Sequence, residues 1–151
     1  MTAVALEIDT APLRAAIARF EGLRAHDPAL LDILGAVAEG GARRRIQDEK
    51  RGPDGAAWAP WSARHAATRR TGQSLLRQQG DLGDALYVEL RGGGVEVGSA
   101  LVYAAIHQLS GAGTKRPAIP ARPYLGVSDQ DEQDLADAVE TFWTRALGGV
   151  A

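Results

Sequence analysis

The sequence predicts an α+β domain, with N-terminal helices and a C-terminal helix packed on a small, mainly antiparallel β-sheet. Three observations carry that prediction. Two capped amphipathic stretches lie between residues 9 and 52, alternating apolar residues flank a glycine run at 92–94, and an acid-led amphipathic stretch follows Ser128. Apolar residues at helical spacing build a dry stripe, whereas strict alternation builds a half-buried strand.

In chain order, Val4, Leu6 and Ile8 alternate with small or acidic residues and read as a short first strand. Asp9 or Thr10 is placed to cap a helix with Pro12 in its first turn, and Leu13, Ala16, Ile17, Phe20 and Leu23 share one face. Asp27-Pro28 repeats this start signal. The second helix carries Leu30, Leu34, Val37 and Gly41 on its stripe and ends at Lys50-Arg51 before Gly52-Pro53, with cations at the negative end of the dipole. Residues 52–62 form a turn-rich surface loop with Trp58 and Trp61, and Ser62 is placed to cap a short helix through Arg70.

Leu75 to Asp84 reads as a mixed segment with one helical turn. Ala85–Leu90 and Val95–Gly98 form the hairpin strands, joined by glycines that supply positive φ. Tyr103, Ile106 and His107 then recur at helical offsets, and residues 111–117 are a surface loop. Ile119 to Leu125 is expected as a further strand, kept to an edge by Pro120 and Pro123. Ser128 caps the last helix, whose buried face is Leu135, Val139, Phe142, Trp143 and Ala146.

The 151 residues form a single domain (1–151), long enough to bury a core without staples, with exposed loops near 52–62, 71–73 and 111–117. Without cysteine there is no disulfide, thiol nucleophile or cysteine-based metal site. No apolar run approaches the roughly 18 residues of a membrane span, and no basic-then-apolar leader opens the chain, so the expectation is folding in a cytoplasm with no membrane partner. His26, His65 and His107 lie far apart, Gly92–Gly94 lacks the lysine of a phosphate loop, and the serines lack a nucleophile setting. No catalytic or metal site and no cofactor is therefore expected. His107 on an apolar face reads more readily as a hydrogen-bonded core histidine than as a catalyst.

The net charge of −2 is unevenly spread. From Arg43 to Arg77 nine cations face three acids, a balance of +6, and from Ser128 onward six acids face one arginine, a balance of −5. The two segments are either solvated helix faces or surfaces that meet between copies. Unlike patches on one subunit suit head-to-tail contacts, which can close into rings. Trp58 and Trp61 either fold back over core edges or anchor a partner. Arg64, Arg69 and Arg70 either touch phosphates or face solvent or a partner, the latter being preferred. A nucleic-acid-binding module built on the basic 43–77 region is the alternative to a structural protein.

Four blocks, in order, carry a family resemblance. They are P-D-G-A-A-W-A-P-W-S at 53–62, G-D-L-G-D-A-L at 80–86, V-E-V-G-S at 95–99 with Y-A-A-I-H-Q-L-S-G at 103–111, and I-P-A-R-P-Y-L-G at 119–126 followed by the acidic helix. These resemble the motifs of the phage virion morphogenesis family, the tail-completion proteins of Mu-like and related tailed phages. Trp61 stands where the family has leucine, Gln79 where it has threonine, Ala85 where it has serine, and Leu109-Ser110 where it has Phe-Gly. The resemblance implies a non-enzymatic virion protein that completes the tail or joins it to the head. It would act as a ring of identical subunits, hexameric by analogy with tail ends, with tail-tube and neck or connector proteins as partners. DNA would pass through the ring without specific binding. Trp58, Trp61, Arg64, Arg69, Arg70, Lys115 and Arg116 are assigned to subunit or partner contacts. Gly98, Tyr103, His107, Gln108, Pro120, Arg122, Pro123 and Gly126 are assigned to the structural motif.

Overall fold

The computed structural model describes residues 27–111 and 119–148, together with 11, 14 and 18. The expected first strand lies outside the described residues, as does most of the first helix, of which Ala11, Arg14 and Ala18 are helical. The expected 111–117 loop is likewise outside them beyond Gly111.

Helix α1 spans Pro28–Arg44. The Asp27 carboxylate accepts from the Ala29 and Leu30 amides at 2.8 and 3.4 Å, and Pro28 occupies the first turn, where its missing N–H costs nothing. The ladder then widens into a π-turn, Arg45–Glu49, and stops at Lys50 in the left-handed region with φ 56°. Gly52 was the expected stop; instead Lys50 holds the strained turn. Its amide donates to the Arg45 carbonyl at 3.1 Å, while its ammonium donates to the carbonyls of Ile46 and Leu75. The π-turn rotates Arg45 and Ile46 into the interior, where both are buried.

Ser62 caps helix α2, Ala63–Thr68, and α3 is a single turn, Asp81–Asp84. The hairpin follows as β1, Leu86–Arg91, and β2, Gly94–Ser99, antiparallel with Leu86 opposite Ser99 and Arg91 opposite Gly94. Gly92 and Gly93 both take positive φ, 60° and 80°, as a two-residue turn matched to strand twist needs. Tyr87 lies across Gly98, whose added Cβ would stand 2.7 Å from the phenol oxygen. Helix α4 is Ala104–Leu109 and α5 is Asp129–Leu147. A capping box starts α5, with Ser128 accepting from the Asp131 amide and Asp131 accepting from the Ser128 amide.

The fold is α+β, and among the described residues its sheet has two strands. Helix α1 is the spine: the hairpin packs on one part of it and α5 on another. Two glycines permit this close approach, since a Cβ at Gly35 would collide with Val88 and one at Gly41 with the Asp131 carboxylate. The core gathers Ala42, Ile46, Trp58, Leu82, Leu86, Ala104 and Tyr124. Ile119 to Leu125 is not a strand. It runs extended but joins no sheet, because two prolines remove donors and side chains take the place of a neighbouring strand.

Candidate functional site

The stretch 122–126 is held by side chains from three parts of the chain and by one backbone carbonyl. The Arg122 amide donates to the His107 carbonyl at 2.7 Å, and the Trp58 indole donates to the Pro123 carbonyl at 2.9 Å. Gln108 accepts from the amides of Tyr124 and Leu125 and donates to the Leu125 carbonyl, each at 3.0 Å. Arg45 donates to the carbonyls of Tyr124 and Gly126 at 2.9 and 2.7 Å. Arg122 in turn reaches back to the carbonyls of Ala59 and Pro60 at 2.9 and 3.0 Å, pinning the tryptophan loop. Gly126, at φ 142°, passes so close to Pro53 that a Cβ would sit 2.6 Å from the proline ring. The motif residues Gln108, Arg122, Pro123 and Gly126 are thus brought together.

Beneath this stretch Arg45, 1% exposed, pairs with Asp131, and Arg44 meets the other carboxylate oxygen at 2.9 Å. Burial alone would raise the Asp131 carboxyl, but bonds from the Ser128 amide, Arg45 and the Ser128 hydroxyl outweigh it and hold it below the ordinary value. The sequence reading missed Arg45 and Asp131. A signal was present: Arg45 lies four residues beyond Gly41 on the apolar stripe of α1, where an arginine needs a buried partner.

Beside the core lies a cleft of about 530 Å³, walled by Trp61, Leu76, Asp81, Tyr103 and His107, with Pro120 and Arg122 at its floor. His107 meets Tyr103 edge-on at 5.9 Å. Burial, and then the Arg122 charge, push its pKa down, so the ring is neutral near pH 7. Its Nδ1 is shielded and has no hydrogen-bond partner among the described residues. His107 is half-buried on the wall of the cleft and outside the core cluster, and the hydrogen bond expected of a core histidine is not seen at its Nδ1 among the described residues.

The remaining assigned contact residues separate. Trp58 is 6% exposed and bonded within its own chain, so it covers the core and offers no anchor to a partner. Trp61 is half-buried, edge-on to His65 at 5.5 Å, with the Arg69 guanidinium 5.0 Å above its ring. Arg64, Arg69 and Arg70 are exposed on and just after α2. Lys115 and Arg116 lie outside the described residues.

The charge division also changes in three dimensions. Arg43 pairs with Glu39 and Asp84, Arg44 with Glu49, Asp131 and Asp134, and Arg45 with Asp131. Part of the basic segment is therefore neutralised inside the subunit by part of the acidic one. The basic ledge Arg64, Arg69 and Arg70 stays outside, as do Arg51 and Arg77 and the outer face of α5 with Asp129, Glu132, Asp137 and Glu140. Among the described residues, no helix is long and apolar enough to cross a membrane and no cluster of acids and histidines is placed to hold a metal ion.

The model of the phage virion morphogenesis family matches residues 8–143. The putative capsid assembly protein G of Escherichia phage Mu is 29% identical over 133 residues, spanning 83% of this chain and 85% of that protein. No solved structure gives a significant match.

Proposed function

Because the chain belongs to the phage virion morphogenesis family and serves phage assembly, we propose that it is a non-enzymatic subunit of a ring that completes the tail or joins it to the head. The observation that carries this reading is the sorting of its charges. The arginines at the α1 end are paired within the subunit: Arg44 and Arg45 tie α1 to α5 through Asp131, and the buried Arg45 also holds the 122–126 stretch. The basic ledge and the acidic face of α5 remain outside as two unlike surfaces. A subunit built this way suits head-to-tail closure around an opening, with tail-tube and neck proteins on either side. DNA crosses such an opening without being held, because phosphate contacts dominate affinity and a subunit of net charge −2 offers few.

The relative in phage Mu carries the name of a capsid assembly protein, which supports a place in particle construction. The nucleic-acid reading is weakened because Arg43, Arg44 and Arg45 are paired with carboxylates of their own subunit, which leaves it the ledge with Arg51 and Arg77. Deleting the gene from the phage or prophage that carries it is expected to leave heads and tails unjoined or tails unfinished in electron micrographs. Complete infectious particles from the deletion overturn the proposal.

A further inference from the structure

Resting on the ring reading, we infer that neighbouring copies meet through one defined contact: the basic ledge of α2 against the acidic outer face of α5 in the next copy. Helix α2 has six residues and buries none of them, and residues 62–70 are exposed throughout. A helix this short is marginal in water unless something packs on it. Its internal support is the Ser62 cap, at 3.3 Å from the His65 amide, and the edge contact of Trp61 with His65. A neighbour supplies the missing surface.

One charge of the ledge, the Arg69 guanidinium, is set in place before any neighbour arrives, and the backbone at Arg70 is fixed beside it. Arg69 lies over the Trp61 ring, and the turn that follows is closed by the Arg70 amide donating to the Gln73 side chain at 2.8 Å and the Gln73 amide donating to the Arg70 carbonyl at 3.2 Å. Ordering them in advance removes part of the entropy cost of association. Arg64, Arg69 and Arg70 form no ion pair among the described residues.

On the other side, Leu135, Val139, Phe142, Trp143 and Ala146 of α5 are half-buried, while Asp129, Glu132, Asp137 and Glu140 are exposed, with Ala136 between them. At about 100° per residue these positions share a single stripe. They too are unpaired among the described residues, whereas Asp131 and Asp134 on the same helix are consumed by Arg44 and Arg45. The occupant of the ledge is therefore a second copy of this chain, chosen by complementary charge. Each subunit carries one surface of each sign, which makes the contact directional.

The test is a charge exchange read by native mass and sedimentation of the full chain. Arg69→Glu with Arg70→Glu, and separately Asp137→Lys with Glu140→Lys, should each weaken self-association about tenfold or more, with circular dichroism unchanged because all four positions are exposed. Mixing the two altered proteins in equal amounts should restore a closed assembly in which the two alternate, as should all four changes in one chain. Wild-type rings that survive both reversals, or reversals that never recover on mixing, overturn the contact while leaving the ring. A wild-type protein that stays monomeric, alone and with tail tubes, overturns the ring and the contact with it. Salt-sensitive binding of a DNA duplex, abolished by Arg69→Glu with Arg70→Glu while assembly is untouched, also overturns the contact and assigns the ledge to nucleic acid.

Discussion

Asp131 is a buried carboxylate that serves two helices at once. It caps α5, neutralises Arg45 and is touched by Arg44, so one carboxylate ties the end of α1 to the start of α5. Changing Arg45 to methionine leaves that buried carboxylate with only Arg44 and Ser128 as partners and should cost about 3 kcal/mol in denaturant unfolding. Acid has a similar effect by a different route. Since the folded carboxyl titrates below its ordinary 3.8, its contribution is complete above that value and is lost as pH falls through the lower folded value. Asp131→Asn should therefore lower stability at neutral pH and flatten the loss below pH 3.8, as followed by urea midpoints across an acid series.

At the scale of elements, the parts that depend on neighbours in sequence were legible and the parts that depend on distant partners were not. The hairpin could be read because alternation and a glycine turn are both local, and α5 because Ser128 and Asp131 form their capping box within four residues. The 119–125 stretch was misread as a strand because extended backbone looks the same whether its partner is a strand or a set of side chains. Its partners, Arg45, Trp58 and Gln108, sit between 16 and 79 residues away along the chain. The ledge was half legible: its arginines stood out, but nothing local said that Arg45 would be buried and Arg43 and Arg44 paired with acids while Arg64, Arg69 and Arg70 stayed exposed and unpaired. The meeting of α1 and α5 rests on Gly41, and Gly41→Ala should drive a methyl into Asp131, whose ion pairs prevent it from yielding. The expected loss is roughly 2 kcal/mol despite the better helix former, measured as a lower midpoint in thermal or urea unfolding.

For the whole molecule, sorting charge into an internal lock and two outer surfaces makes the responses to salt differ. Exposed pairs between subunits are screened within a Debye length of about 8 Å at physiological ionic strength, whereas the buried Arg45–Asp131 pair is not. Raising salt toward about 1 M, where that length shrinks to about 3 Å, should dissolve the ring into folded monomers with little change in unfolding midpoint. Sedimentation and urea titration on one sample would separate the two effects; rings that persist at high salt would point to an apolar contact instead.

The stretch at 122–126 has one more consequence. An extended backbone left open at a surface invites other polypeptides to add to it, which is how many proteins clump. Here indole, amide and guanidinium groups already occupy the positions an intruding strand would need. The same groups that fix this stretch thereby close off a route to uncontrolled aggregation.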